Sequence, residues 1–214
     1  MRSHPSILLI NKPSGPTSHD VVDMIRKKTG VKCVGHAGTL DPLATGLLII
    51  LVGRETTKRQ TEFLGMDKTY EATIILGGRS DTDDITGTIE YRACEKPSFE
   101  KIQASTTELV GTYEQMPPLY SAKKIGGIPS HKLMRRGILP VLKPKKITVY
   151  SIDILNYAWP RLVIRTSVSS GTYIRSLARD IGETLGCGAY IETLTRTMIG
   201  NYSLDQAQPL SNDK

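Results

Sequence analysis

The chain has 214 residues, enough for one substantial core or two small ones. Hydrophobic residues at 39% and charged residues at 23% exclude a disordered or fibrous chain, no apolar run is long enough to cross a bilayer, and residues 1–10 hold too short an apolar stretch for a signal peptide. The formal charge is +7, and its distribution along the chain matters more than its size.

The first elements are marked by their ends. Residues 7–10 read as a short strand, followed by the turn-rich Asn11-Lys12-Pro13-Ser14-Gly15-Pro16. Thr17 and Asp20 have the spacing of a capping box, Val21, Val22 and Ile25 share one helical face, and Gly30 can end that helix. Residues 31–34 and 47–52 are apolar runs that read as buried strands, so residues 35–46 between them form a loop at their ends. Asp41 is the only carboxylate between Asp23 and Glu55. Pro42 keeps it from helical backbone, and the flanking glycines allow positive φ or close approach of another chain. Such a carboxylate suits a nucleophile or a charge stabiliser. The same residues also fit a plain turn in which Asp41 caps a short helix beginning at Pro42.

Further along, residues 57–64 fit a short helix carrying Lys58 and Arg59. Residues 67–76 alternate as a strand with Tyr70, Ala72, Ile74 and Leu76 on one side. Residues 77–87 hold three acids, Asp81, Asp83 and Asp84, without the ligand spacing of a calcium loop, and read as structural or network-forming. Residues 88–94 read as a strand, and Ser98 caps a helix that ends near Gly111.

Residues 115–152 contain no acid but eight bases: Lys123, Lys124, Lys132, Arg135, Arg136, Lys143, Lys145 and Lys146. Setting those eight aside from the 28 in the chain leaves 20 bases against 21 acids. The positive charge is therefore local, either the footprint of a nucleic-acid contact or a solvated lysine-rich loop. Two strands follow at 147–155 and 162–168, then a helix whose apolar face is Ile174, Leu177, Ala178, Ile181 and Leu185, with Gly186 as its stop. Arg175 at its start is poorly placed beside the positive helix end unless an anion stands nearby. Cys33, Cys94 and Cys187 are odd in number and far apart, which points to a reducing compartment, the cytoplasm, and to no paired metal ligands. There is no internal repeat, no low-complexity tract and no dinucleotide glycine motif.

Gly35-His36-Ala37-Gly38-Thr39-Leu40-Asp41-Pro42-Leu43-Ala44-Thr45-Gly46 closely resembles the signature of the TruB family of tRNA pseudouridine synthases. Four earlier or later stretches support the resemblance. They are Asn11-Lys12-Pro13-Ser14-Gly15, Lys68-Thr69-Tyr70 with its strand, Pro117-Pro118-Leu119-Tyr120-Ser121-Ala122-Lys123, and Gly171-Thr172-Tyr173-Ile174-Arg175-Ser176-Leu177. The resemblance implies an α+β pseudouridine synthase fold, with a mixed, largely antiparallel sheet flanked by helices and a basic RNA-clamping insertion at about 117–146. The chain is expected to hold one catalytic domain over 1–210 and a tail at 211–214, without the C-terminal PUA-type domain that many family members carry. The implied activity is conversion of uridine to pseudouridine at position 55 in the tRNA T-loop, without cofactor or metal. Partners would be the T-arm stem-loop and no membrane, for a monomeric enzyme.

The family's roles map onto Asp41 as the catalytic carboxylate, Tyr70 as the aromatic beside the target uracil and Arg175 as the cation that holds Asp41 ionised and aimed. His36 would lie against the RNA where the flipped base had been. Lys58, Tyr173, Leu194, Lys123, Lys124, His131, Arg135 and Arg136 complete the expected RNA-binding set. Two departures stand out: His131 replaces a common tyrosine, and Thr195 in Leu194-Thr195-Arg196 replaces the first arginine of a common Leu-Arg-Arg. A catalytically idle RNA-binding protein would need only the basic segment. A base-excising glycosidase or nuclease would need a second acid or a metal set in these motifs, which hold neither.

Overall fold

The structure is a computed structural model and describes residues 6–210; the tail expected at 211–214 lies outside the described residues. The chain divides into two compact units, one holding residues 6–71 and 193–210, the other residues 72–192. In chain order, β1 (Ser6–Lys12) leads to α1 (Ser18–Thr29), then to the strands β2 (Val34–Ala37) and β3 (Thr45–Val52) and the short helices α2 (Arg54–Lys58) and α3 (Gln60–Leu64). Strand β4 (Lys68–Leu76) passes out of the first unit after Glu71. The second unit adds β5 (Gly78–Ser80), β6 (Ile89–Tyr91), α4 (Phe99–Glu108), β7 (Gly111–Gln115), β8 (Lys124–Ile125), β9 (Ile128–Pro129), α5 (Ser130–Met134), β10 (Lys145–Ala158), β11 (Arg161–Val168) and α6 (Ile174–Thr184). Strand β12 (Ala189–Ile199) re-enters the first unit at Thr193, where β13 (Tyr202–Ser203), a 3-10 turn (Leu204–Gln206) and β14 (Gln208–Pro209) follow.

The first unit is built on β3. Its run Leu47–Leu51 is fully buried, residue after residue, because it is paired on both sides and covered on both faces. Strand β1 lies antiparallel to it, from Ser6 opposite Val52 to Lys12 opposite Gly46. On the other side β2 is antiparallel over Val34–Ala37, and β12 is parallel at Thr195 and Arg196. Leu47, Ile49 and Leu51 share a core with Ala37, Ile199 and Phe63 of α3. Helix α1 packs on β2 and is closed at both ends as its residues imply. Thr17 Oγ1 accepts from the Asp20 amide while Asp20 accepts from the Thr17 amide, and Gly30 ends the helix at φ 70°. Each such cap stabilises by ~1 kcal/mol.

In the second unit the sheet order is β4-β11-β10-β7, and β10 is antiparallel to both β11 and β7. Helix α4 packs against β10 and α6. Helix α6 buries Ile174, Leu177, Ala178 and Ile181, while Leu185 is half-buried. Its Gly182 carbonyl accepts from the amides of Cys187 and Gly188, at 3.1 and 2.9 Å. A Cβ on Gly182 would stand 2.3 Å from the Ala189 nitrogen, so the helix and the turn after it meet backbone to backbone. The architecture is α+β with mixed sheet pairing and flanking helices, as expected. No helix among the described residues is long and apolar enough to cross a membrane.

Several boundaries differ from the sequence reading, and three have a clear local cause. The strand expected at 31–34 begins only at Val34 and continues to Ala37, because its partner β3 ends at Val52, opposite Val34. Beyond that point Cys33 O instead accepts from Gly53 N at 2.8 Å. The helix expected at 57–64 is broken at Arg59 into α2 and α3. Thr56 and Thr57 bond back to the carbonyls of Val52 and Gly53, a competing interaction that bends short helices. The strand expected at 88–94 is confined to Ile89–Tyr91, since its partner β5 offers only three residues.

Candidate active site

Asp41 stands on the loop between β2 and β3, half-exposed, with Leu40 and Ala44 buried near it. The loop is held by its backbone at several points within the first unit. Leu40 N donates to Ser18 Oγ at 2.8 Å, and the same hydroxyl donates to Leu40 O at 3.1 Å. Gly15 N donates to Pro42 O at 2.9 Å, and Ala44 N closes a turn on Asp41 O at 3.1 Å. No helix begins at Pro42: the chain passes from this turn into β3, which removes the helix-capping reading of Asp41.

Two cations underlie the loop, and neither stands out as a site residue from sequence. Lys12 is fully buried, and its ammonium donates to the carbonyls of Pro13, Pro16 and Pro42 at 2.8, 2.9 and 3.3 Å. Burial pushes Lys12 down to about 8, Asp41 pulls it back up, and Arg196 adds to the fall. Arg196 is equally buried, and its guanidinium donates from Nε to Leu47 O at 2.8 Å and from Nη2 to Gly38 O at 3.1 Å. The only sequence signals are a lysine before proline in the opening turn and one arginine among the threonines and apolar residues of β12.

His36 lies on β2 opposite Ile50, and its carbonyl accepts from Gln60 Nε2 at 2.6 Å. Its ring Nδ1 is buried with no hydrogen-bond partner among the described residues. Burial, then the charges of Arg196 and His19, lower His36 below its ordinary value, so the ring is neutral at pH 7. Tyr70 is buried on β4 at 8% exposure, in phase with Lys68, and Leu194 is buried on β12. Thr197 Oγ1 donates to Thr69 O at 3.2 Å, which ties β12 to the start of β4. Lys58 is exposed on α2 and pairs with Glu55 at 2.9 Å.

In the second unit Arg175 is not an exposed helix-start residue but is 6% exposed. Its guanidinium donates to Thr82 O at 2.7 Å and Tyr120 O at 2.9 Å, and lies 3.4 Å from Asp84 Oδ2. Arg179 pairs with Asp83 at 2.8 Å and donates to Met116 O. The acidic stretch thus anchors two arginines of α6, the network role its sequence suggested. Tyr173 is fixed through its backbone, donating to Gln115 Oε1 at 2.9 Å and accepting from Gln115 Nε2 at 3.2 Å. In the basic segment Lys124, Arg135 and Arg136 are exposed, Lys123 donates to Lys143 O at 2.7 Å, and His131 Nδ1 is 3.0 Å from Ser121 O. Among the described residues no group of three or more His, Cys, Asp and Glu side chains is placed to hold a metal ion.

A stiffly mounted, half-exposed carboxylate of this kind can stabilise positive charge or supply a nucleophile. Comparison with known proteins gives that chemistry a family. Residues 26–174 match the model described as TruB family pseudouridylate synthase (N terminal domain), and residues 175–212 match that of the tRNA pseudouridylate synthase B C-terminal domain. A relative from Protochlamydia amoebophila named tRNA pseudouridine synthase B is 45% identical over 93% of this chain and 76% of its own. Among solved structures, an H/ACA ribonucleoprotein bound to a substrate RNA containing 2′-deoxyuridine contains a similar chain, with TM-score 0.71 and 28% identity. That match covers 95% of this chain, which spans half (50%) of the other. A pseudouridylate synthase at 17% identity shares the fold, with TM-score 0.52 over 97% of this chain and 69% of that one. The chain belongs to the TruB family of pseudouridylate synthases.

Proposed function

We propose that the protein isomerises uridine to pseudouridine in tRNA, at position 55 of the T-loop, with Asp41 as the catalytic residue. The observation that carries the proposal is the Asp41 loop, a half-exposed carboxylate on a backbone fastened at Leu40 and Pro42. The name shared by its relatives supports the same reading. The reaction breaks the N1–C1′ bond, turns the uracil and joins C5 to C1′, with a proton leaving C5 and one added at N1. It is redox-neutral, and the positive charge that develops at the sugar is what a fixed carboxylate stabilises or traps.

A uracil inside a folded loop must leave its stack before it can react. Tyr70 is assigned to receive the flipped base, and His36, neutral at pH 7, to fill the space it leaves without adding charge. Arg175, held rigid by Asp84 and two carbonyls, supplies the cation of the reaction centre. Leu194 and Tyr173 line the nucleoside, and Lys58 lies along the RNA. Lys123, Lys124, His131, Arg135 and Arg136 hold the T-arm, their phosphate contacts positioning the arm without reading its sequence. The protein is assigned as a cytoplasmic monomer, the compartment resting on its odd, scattered cysteines.

The test is purified protein on unmodified tRNA and on an isolated T-arm stem-loop, read by mass spectrometry and by tritium release from 5-tritiated uridine. Pseudouridine is expected at position 55 in both substrates. Asp41→Asn, nearly isosteric but uncharged, should abolish release while RNA affinity stays within about tenfold, or ~1.4 kcal/mol. Substantial release by the Asn variant, or modification elsewhere in the tRNA, would refute the assignment.

A further inference from the structure

We propose that Arg196 is a positioning residue for the reaction, locking the loop that carries Asp41 by gripping both of its arms from inside the core. The inference rests on the reading of Asp41 as the catalytic carboxylate. The two carbonyls that accept from the Arg196 guanidinium belong to Gly38 and Leu47, which lie on either side of Asp41 in the chain. The grip is doubled by the backbone. Arg196 pairs in parallel with Gly46, and a Cβ at Gly46 would stand 2.4 Å from the Arg196 carbonyl oxygen. The loop therefore leaves for β3 pressed against the residue whose side chain holds its other end.

The chemistry argues for a task beyond filling space. Arg196 is 1% exposed, and burying a guanidinium is costly unless hydrogen bonds replace its water. An apolar side chain would fill a purely structural place without that cost. Here two of the donors go to main-chain oxygens, which fix geometry without cancelling charge. The field that remains reaches outward, since Arg196 lowers both Lys12 and His36. The planar fork of arginine spans two separate carbonyls, whereas the single ammonium of lysine carries the charge without the same span. Thr195 beside it bonds to Thr45 across the same junction, Oγ1 to Oγ1 at 2.8 Å, so the pair fastens the loop's exit twice.

The experiment compares the wild type with Arg196→Gln and Arg196→Lys on T-arm RNA. The readouts are kcat from tritium release, RNA Kd, thermal melting, and the NMR titration of the His36 ring. Displacing a reacting group by about an ångström costs about 10²-fold. Arg196→Gln should accordingly lose about 10²-fold in kcat with Kd within about threefold, and His36 should titrate higher. Arg196→Lys should recover part of the rate and leave His36 where it is in the wild type. Full kcat in the Gln variant would overturn the proposal. So would a loss shared equally by kcat and Kd, or variants that fail to fold, because each assigns Arg196 to the fold or to RNA binding. A wild-type protein without turnover would instead remove the function on which the inference rests, an outcome distinct from active Arg196 variants.

Discussion

Asp83 sits 8% exposed between Arg179 and the acids of its own loop, with its backbone at φ 60°, in the left-handed region. Burial raises it from 3.8 to about 6, outweighing Arg179 and Arg175, while Asp180 and Asp84 push the same way as burial. Between about pH 4 and pH 6 the folded chain thus holds a proton that the unfolded chain has released. Stability contributed by this group falls as pH rises through that window. Asparagine tolerates the same backbone region, so Asp83→Asn removes the titration without straining the turn. The advantage of the wild type over Asp83→Asn should shrink by up to about 3 kcal/mol between pH 4 and pH 7, measured by urea unfolding at each pH. A difference that stays flat with pH would show that Asp83 does not titrate there. Single residues of this kind are the least legible from sequence. Asp41 stands out as a lone carboxylate among glycines, but the burial of Lys12, Arg196 and Arg175 depends on what the chain packs over them. Composition places cations at the surface by default, and only the fold brings carbonyls to their donors.

Elements with strong local signals are legible in the sequence, and those defined by a partner are not. The capping box of α1, Gly30 at its end, the alternation of β4 and the unbroken apolar run of β3 each carry their own instruction. Strand β2 does not: it starts where β3 offers a partner, which moves His36 from the loop onto a strand. Two glycines separate local from tertiary demand. Gly30 needs only its left-handed backbone, since a Cβ there would meet no atom within 4 Å. Gly46 has φ 98° and also faces the Arg196 backbone, where a Cβ would stand 2.4 Å from oxygen and 2.9 Å from nitrogen. Gly30→Ala should therefore cost about 1 kcal/mol, the penalty of the left-handed region alone. Gly46→Ala should cost more than about twice as much, since β3 and β12 must also part. Equal losses in denaturant unfolding would mean that β12 yields freely, and the tight junction described for Arg196 would then be slack.

At the scale of the whole molecule, sequence shows where the charge lies but not how the chain divides. The first unit is closed by residues from both ends of the described chain, and β4 and β12 change unit partway along, a weave that no composition shift announces. Charge, by contrast, is additive along a sequence, and the acid-free stretch 115–152 remains a largely exposed surface in the fold. Within it the bases are not equivalent. Lys123 already donates to Lys143 O and helps to close the segment on itself, whereas Lys124, Arg135 and Arg136 extend into solvent. If the segment grips RNA through phosphate, these three side chains carry part of the salt dependence, beside the exposed Lys132, Lys143, Lys145 and Lys146. Each phosphate contact of this kind adds roughly −0.9 or somewhat less to the slope of log affinity against log salt. Replacing Lys124, Arg135 and Arg136 together by glutamine should weaken binding to all tRNAs alike and make the slope shallower by about 2 to 3. Lys123→Gln should also lower the melting temperature, because its bond to Lys143 O is lost, and should change the slope by no more than the share of one contact, about 0.9. Titrations of T-arm RNA at several salt concentrations decide it. An unchanged slope in the triple variant, with affinity lost, would mean that these bases shape the segment and leave the phosphates to others.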